Sequence, residues 1–170
     1  NAVALGFSSG TGYSSEVRVF DKDPKKSSHS LEDVVLYSDF IFISVPTPSN
    51  KDGSIDLKVL KKCVSDVDKV SKKLGRPDNI ILIRSTVVPG TTSEIQKKHP
   101  NLKIVFNPEF LTERSAIFDF INQTRFILGG INENTKKVAC LFRDRFGRKM
   151  PIIETDYETA ELTKYVCNAF

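Results

Sequence analysis

Short apolar runs alternate with segments of helical periodicity along most of the chain. Runs rich in β-branched and aromatic residues predict strands at residues 16–20, 40–45, 79–83, 104–106, 125–128 and 151–154. Helical patterns occupy residues 31–36, 56–74, 134–146 and the segment from 156 to the end. Strands that alternate with helices and are apolar throughout are typical of sheets buried on both faces. The pattern therefore predicts an α/β fold with a doubly wound, parallel, Rossmann-like sheet.

Two local signals fix helix ends within this pattern. Gly75 directly follows the helical segment 56–74 and is expected to stop it. The run Thr91-Thr92-Ser93-Glu94 has the spacing of a capping box and predicts the start of another helix.

The N-terminal stretch is too short for a complete dinucleotide-binding unit. Such a unit needs a strand, a Gly-rich turn and a helix before the strand that ends in the ribose-binding acid. Twenty residues precede Asp21, and they contain no G-x-G-x-x-G. We therefore predict a helix at residues 1–8 and a sheet that lacks its first strand and Gly-rich turn, so that residues 1–170 alone fold poorly. The alternative, a first strand at residues 2–5, leaves no crossover helix and is disfavoured.

Composition narrows the class of protein further. With 170 residues, 39% hydrophobic and 27% charged, the chain is typical of one globular domain. The net charge of +4 comes without a basic stripe, which disfavours nucleic acid as a partner, and no apolar run is long enough for a membrane span. Cys63, Cys140 and Cys167 lack metal-site spacing, so we predict no metal and three reduced core cysteines in a cytoplasmic protein; His29 and His99 are expected at the surface.

Three predicted strands end in polar turns that a cofactor could use. Asp21 follows the strand at 16–20, where an acid can bind an adenosine ribose and repel a 2′-phosphate. Thr47 in Val45-Pro46-Thr47-Pro48 offers a hydroxyl to a phosphate or ribose. The turn that begins at Ser85 is expected to place the Thr86 hydroxyl and free helix N-terminal amides at the same sheet edge. A turn aspartate and a stiff proline turn are the simpler interpretations of the first two.

A fourth turn, Asn107-Pro108-Glu109-Phe110-Leu111-Thr112-Glu113-Arg114-Ser115, follows the strand at 104–106. Ligands of open α/β sheets bind beyond the carboxyl ends of the strands. Glu109 and Glu113 share one face if this turn is helical, although a solvated helix start has the same pattern. Near the end of the chain, Glu161, Lys164 and Asn168 are spaced along one helix face, which spacing alone assigns to solvent.

Taken together, these motifs resemble the UDP-glucose/GDP-mannose dehydrogenase family. The matching runs are Phe20-Asp21-Lys22-Asp23-Pro24, Val45-Pro46-Thr47-Pro48, Ser85-Thr86-Val87-Val88-Pro89-Gly90-Thr91, Asn107 to Glu113, Arg125 with Gly129-Gly130, and Ala160-Glu161 through Lys164 to Asn168-Ala169-Phe170. The resemblance implies an NAD-binding domain at residues 1–155 and the start of a central inter-domain helix at 156–170.

The resemblance also implies an activity. Members of this family oxidise the C6 hydroxymethyl of a nucleotide sugar to a carboxylate with two NAD, and a cysteine of a second domain carries the thiohemiacetal and then the thioester. The form of residues 108–111 is more similar to the UDP-glucose and GDP-mannose branches, and we expect UDP-glucose as the preferred substrate. A cytoplasmic homodimer joined through the central helix, serving polysaccharide biosynthesis, is the implied setting.

The family's functional residues carry over by motif. Those implied to bind NAD are Asp21, Lys22, Pro46, Thr47, Ser85, Thr86 and Glu113. Those implied to contact the sugar are Glu109, Phe110, Leu111, Lys164 and Asn168. The implied catalytic set is Thr86 and Glu113, which position water beside the nicotinamide, with Lys164 and Asn168, which contact the oxygen of the reacting carbon.

Two other interpretations remain open from the sequence. One is an NAD-dependent dehydrogenase of the β-hydroxyacid type, which shares the fold. The other is a non-catalytic NAD-binding or oligomerisation fragment, because the chain contains neither the Gly-rich turn nor the segment with the family's catalytic cysteine. Cys167 does not match that nucleophile and is interpreted as a packing residue.

Overall fold

The computed structural model describes residues 2–8, 13, 15–110, 114 and 116–169, with side chains described as far as residue 167. Within these residues a five-stranded sheet has the order β1-β2-β3-β4-β5. Its strands are β1 Phe40–Ile43, β2 Ile80–Ile83, β3 Lys103–Phe106, β4 Phe126–Gly130 and β5 Ile152–Thr155. The predicted α/β architecture is confirmed.

Seven helices surround the sheet within the described residues. They are α1 Ala2–Gly6, α2 Leu31–Tyr37, α3 Lys58–Leu74, α4 Thr91–Lys98, α5 Ala116–Ile121, α6 Asn132–Phe146 and α7 Tyr157–Ala169. The helix predicted at the N-terminus is confirmed, whereas the alternative strand at residues 2–5 is not formed. Gly75 ends α3 in the left-handed conformation, with φ 63°, as the sequence predicted.

Side chains alternate between the two faces of the sheet and build a separate core on each. On one face, the aliphatic side chains of Ile41, Ile81 and Ile104 pack with α2, α3, α4 and α7. On the other face, Leu82 and Val105 pack with phenyl rings from α5 and α6, among them Phe120 and Phe142. Helices on both faces are the hallmark of a doubly wound sheet.

The expectation of a wholly parallel sheet is wrong at one pair of strands. β1, β2 and β3 are parallel, and β4 and β5 are parallel to each other, but β3 and β4 run antiparallel, with Phe106 opposite Gly129. In the described part of the connection between them, the short helix α5 is the one regular element. The chain does not cross back to the start of the sheet there, so β4 enters from the edge where β3 ends.

The predicted strand at residues 16–20 is also wrong. Its backbone does not pair with another strand of the described sheet but with a neighbouring loop: the Ser28 and His29 amides donate to the Val19 carbonyl. The Val19 and Asp21 amides donate to the hydroxyls of Ser28 and Ser27. Its β-branched composition favours extended backbone, but a strand also requires a paired neighbour.

Surface and core assignments of the cysteines and histidines need correction. Cys140 and Cys167 are exposed rather than part of the core, and only Cys63 is partly buried. His99 is largely covered, because its Nδ1 lies 2.8 Å from the Asp68 carboxylate of α3. No group of three or more potential metal-ligating side chains, and no helix long and apolar enough to cross a membrane, occurs in the part of the chain that the structure describes.

Candidate functional site

The turns that follow β1 and β2 are tied together at the carboxyl edge of the sheet. The Ser85 hydroxyl donates to the Val45 carbonyl at 2.7 Å and accepts from the Val45 amide at 3.0 Å. The Thr47 hydroxyl donates to the Thr86 carbonyl at 2.8 Å. Ser85 therefore holds the Val45 backbone, and the Thr47 side chain contacts the backbone of Thr86 at the sheet edge that the two turns share.

A buried arginine joins the turn after β2 to the turn after β3. Arg84 is fully buried, and its guanidinium donates to Asn107 Oδ1 and, over 3.2–3.3 Å, to Glu109 Oε2. Asn107 in turn donates from Nδ2 to the Ile127 carbonyl at 3.0 Å. Burial lowers the pKa of Arg84 and Glu109 opposes that effect, but an arginine retains its charge in either case. Glu109 is thus held at the sheet edge by a fixed positive charge.

Lys164 reaches the same edge from α7. Its side chain is 4% exposed, and Nζ donates to the Arg84 carbonyl at 3.0 Å. Burial lowers the pKa of Lys164 to about 8, with Glu109 acting against this shift and Arg84 adding to it. The exposed helix face expected from spacing alone is therefore wrong, because α7 packs this face against the sheet.

Glu161 lies on the same face of α7 and caps another helix. Its carboxylate accepts hydrogen bonds from the Gly90 amide at 2.6 Å, the Thr92 amide at 2.7 Å and the Thr92 hydroxyl. Burial raises the pKa of Glu161, and these hydrogen bonds oppose the rise. The start of α4 is therefore closed by a side chain from α7.

Two expectations about the start of α4 fail for this reason. The predicted capping box is absent: Gly90, at φ 92°, occupies the N-cap, and the Thr91 hydroxyl donates to the Val88 carbonyl. Glu94 pairs with lysines instead of the cap. Of the helix N-terminal amides expected to be free for an anion, those of Gly90 and Thr92 donate to Glu161 and that of Thr91 donates to the Val88 carbonyl.

Glycines allow α7 to lie close enough for these contacts. A Cβ on Gly129 of β4 would stand 2.6 Å from the Ala160 Cβ and 2.7 Å from the Asp156 carbonyl oxygen. One residue on, the Tyr157 hydroxyl donates to the Ile104 carbonyl at 2.8 Å, and burial raises the pKa of Tyr157 to about 12. The Gly129-Gly130 motif of the sequence thus serves helix packing.

Asp21 and Lys22 lie at the surface, with Lys22 near the Cys63 thiol of α3. Asp21 Oδ1 accepts the Asp23 amide at 2.9 Å, which orders the turn and keeps the carboxylate exposed. An exposed carboxylate after residues 16–20, together with the Thr47 and Thr86 turns, fits a bound NAD. The α4 amides cannot take part while Glu161 occupies them.

Only some of the remaining predicted site residues lie in the part of the chain that the structure describes. Pro46 is exposed, and Glu109 and Phe110 are partly buried. The backbone at Glu109 is not helical, so the condition for a shared helix face with Glu113 is not met there. Leu111 and Glu113 lie outside the described residues, and Asn168 is described only as backbone of α7. Sequence reasoning assigned no role to Arg84 or Asn107; the signal that could have found Arg84 was a charged residue directly after a wholly apolar strand.

The sequence of this chain matches a known protein family over most of its length. Residues 18–144 match the NAD binding domain of the UDP-glucose/GDP-mannose dehydrogenase family. The chain belongs to this family. NAD is accordingly its cofactor.

Three relatives show how far the family likeness extends. An uncharacterized protein of Methanocaldococcus jannaschii is 41% identical over 140 residues, which cover 78% of this chain and 15% of the relative. A UDP-glucose 6-dehydrogenase of Haloferax volcanii is 33% identical over 154 residues, covering 81% of this chain and 35% of the relative. The structure of a UDP-glucose dehydrogenase from Pyrobaculum islandicum superposes with a TM-score of 0.72 at 29% identity, covering 84% of this chain and 34% of that one. The chain thus spans about a third or less of each relative.

Proposed function

We propose that this chain is the NAD-binding portion of a nucleotide-sugar dehydrogenase that oxidises the C6 hydroxymethyl of UDP-glucose to a carboxylate with two NAD. The observation that carries the proposal is the buried Lys164 ammonium beside Arg84 and Glu109, at the edge where the Thr47 and Thr86 turns meet. A UDP-glucose 6-dehydrogenase of Haloferax volcanii is 33% identical to this chain, which supports UDP-glucose over other nucleotide sugars.

In this proposal, residues 1–155 form the NAD-binding domain and residues 156–170 begin a central helix. Asp21 accepts hydrogen bonds from the adenosine ribose hydroxyls and repels a 2′-phosphate. Lys22, Pro46 and Thr47 line the cofactor, with Ser85 holding the Val45 backbone in place. When bound, NAD supplies the electron acceptor for the oxidation of the sugar carbon.

Lys164 stabilises negative charge on the oxygen of the reacting carbon. A buried ammonium acts more strongly on such charge than an exposed one, because little water screens it. With a pKa of about 8 it keeps its proton near neutral pH, yet it can lose that proton just above. Asn168, one turn further along α7, is assigned to the same oxygen. Glu109 offsets the charges of Lys164 and Arg84.

Thr86 and Glu113 are assigned to the hydrolysis of the acyl intermediate. A water that attacks a thioester needs to be held near the acyl carbon and to give up a proton, and a carboxylate can serve both needs. Glu109, Phe110 and Leu111 contact the sugar. We place the whole protein in the cytoplasm as a homodimer in polysaccharide biosynthesis; Leu162, Tyr165 and Val166, exposed apolar residues of α7, support an interface on this helix.

The test uses the full-length gene product. Purified enzyme is mixed with NAD and UDP-glucose, GDP-mannose or 3-hydroxyisobutyrate, and NADH absorbance is recorded together with the product. We expect two NADH per UDP-glucuronate formed, with the highest kcat/KM for UDP-glucose. Preferred oxidation of 3-hydroxyisobutyrate, or release of one NADH per sugar, would exclude the proposed reaction.

A further inference from the structure

Glu161 differs in its surroundings from Glu158, the other acidic residue of α7. It is fully buried, and within the described residues its carboxylate accepts three hydrogen bonds, all from neutral donors at the start of α4. Lys164, one helical turn away, does not pair with it but donates to the Arg84 carbonyl. A buried carboxylate is costly unless its hydrogen bonds are complete. Three donors, helped by the positive end of the α4 dipole, meet that requirement.

These contacts fix both ends of one catalytic loop. Residues 84–90 connect β2 to α4 and carry Thr86. At the start of the loop, Ser85 is bonded to Val45 and the Arg84 carbonyl to Lys164. At its end, the Gly90 amide is bonded to Glu161. The loop is therefore attached to α7 at two points, which lie three residues apart on that helix.

We propose that Glu161 is a positioning residue for the oxidation: by capping α4 from α7, it sets the distance between Thr86 and Lys164. This inference rests on the proposed function, because it assigns those two residues to the reacting sugar. We assign Glu161 no contact with substrate or cofactor, because its buried carboxylate is bonded to the start of α4. Its effect on the reaction passes through the Gly90 amide and the loop.

Replacement of Glu161 by glutamine separates positioning from packing. Glutamine has nearly the same volume as glutamate. Its Nε2 is a hydrogen-bond donor, however, and would face a backbone N–H that donates to a carboxylate oxygen in the wild type. At least one of the two amide contacts is therefore lost while the core stays filled. Thr92→Val removes only the hydroxyl contact, and Thr92→Ser keeps it.

The chain provides a matched control on the same two helices. Glu158 of α7 accepts a hydrogen bond from the Ser93 hydroxyl of α4, but this contact is exposed and involves no backbone amide of the loop. Glu158→Gln thus removes the charge from an α4–α7 contact while it leaves every hydrogen bond of the cap in place. Unequal effects of Glu158→Gln and Glu161→Gln report on the cap and not on the helix pair in general.

The experiment measures kcat, both KM values and hydrogen exchange of the peptide 84–98 in the full-length enzyme, with UDP-glucose and NAD as probes. In Glu161→Gln we expect kcat to fall roughly 10- to 100-fold, as for a misplacement of about an ångström. KM values should change less than about threefold, since substrate binding is shared with other groups. Exchange of peptide 84–98 should accelerate. Thr92→Val should show a smaller loss that Thr92→Ser restores, and Glu158→Gln should match the wild type.

Several results would overturn the inference. Unchanged kcat in folded Glu161→Gln with faster exchange would show that the cap only stabilises the fold. Unchanged exchange would show that the cap does not hold the loop. Should Glu161→Gln fail to fold, equal kcat in Thr92→Val and Thr92→Ser overturns the inference. An inactive wild-type enzyme would instead refute the proposed function.

Discussion

The buried charge of Lys164 should make the free energy of unfolding smaller than it would be with a neutral side chain at this position. The pKa of Lys164 falls from 10.5 to about 8, which corresponds to roughly 3 kcal/mol of preference for the neutral form. Because the folded pKa lies below the unfolded one, the unfolded chain binds more protons between these values. Stability therefore rises with pH across this window, and below pH 8 the full cost remains.

Lys164→Met tests this cost directly. Methionine fills the same space without a charge, so the variant should lose activity but be as stable as the wild type at pH 7, or more stable. The hydrogen bond from Nζ to the Arg84 carbonyl is lost, which offsets about 1.5–3 kcal/mol of the gain. The pH dependence is the sharper signal: between pH 7 and 9 the wild type should gain about 1.4 kcal/mol relative to the variant.

Urea unfolding of the two full-length proteins at several pH values provides the measurement. Other groups that titrate in this range are present in both proteins, so their contributions cancel in the difference. Lys73→Met, at an exposed position of α3, is the control and should follow the wild type. If the Lys164→Met and wild-type curves stay parallel from pH 7 to 9, Lys164 is not desolvated and its assigned role loses its physical basis.

Three further changes test other parts of the site in the full-length protein. Asp21→Ala should narrow the preference for NAD over NADP in steady-state kinetics, and equal use of both by the unmutated enzyme would contradict the ribose assignment. Gly129→Ala should destabilise the protein by about 1–3 kcal/mol in thermal or urea unfolding, because its Cβ meets Ala160 and the Asp156 carbonyl, and Ala160→Gly should restore part of the loss. Glu113→Gln should slow acid release by roughly 10²–10⁴-fold and leave an acyl-enzyme visible by intact-protein mass spectrometry, whereas normal turnover would remove its role as a base.

Six of the seven helices in the described residues and most strands were predictable because their signals are local, whereas α5 was not predicted. Apolar spacing within 56–74 and unbroken apolar runs such as 80–83 report directly on burial. The strand predicted at 16–20 failed because pairing depends on a neighbour that local composition does not specify. The direction of β4 was likewise out of reach, since antiparallel pairing is set by the path of the preceding connection.

In the site, the positions of the turns were predictable from the sequence, but the α7 side chains that contact them were not. Thr47 and Thr86 follow strands that share one edge, so their meeting follows from topology alone. The cap on α4 is made by a residue some seventy positions further along the chain, and the local Thr91–Glu94 pattern pointed to a different partner. Spacing placed Glu161 and Lys164 on one face, but only packing against the sheet shows that the face is buried.

The reversal of β4 determines how Lys164 reaches the carboxyl edge of the sheet, where Nζ contacts the Arg84 carbonyl. β5 runs parallel to β4, so the chain enters α7 heading toward the amino end of β3, where the Tyr157 hydroxyl donates to the carbonyl of Ile104. From there the helix extends about 10 Å in seven residues, roughly the length of three strand residues. This length brings Lys164 to the carboxyl edge of β2 and β3. If the sheet were fully parallel, α7 would begin beside the turns that carry Thr47 and Thr86 and would run away from them. Because β4 is inverted, the Lys164 ammonium is carried by the middle of a helix rather than by a loop.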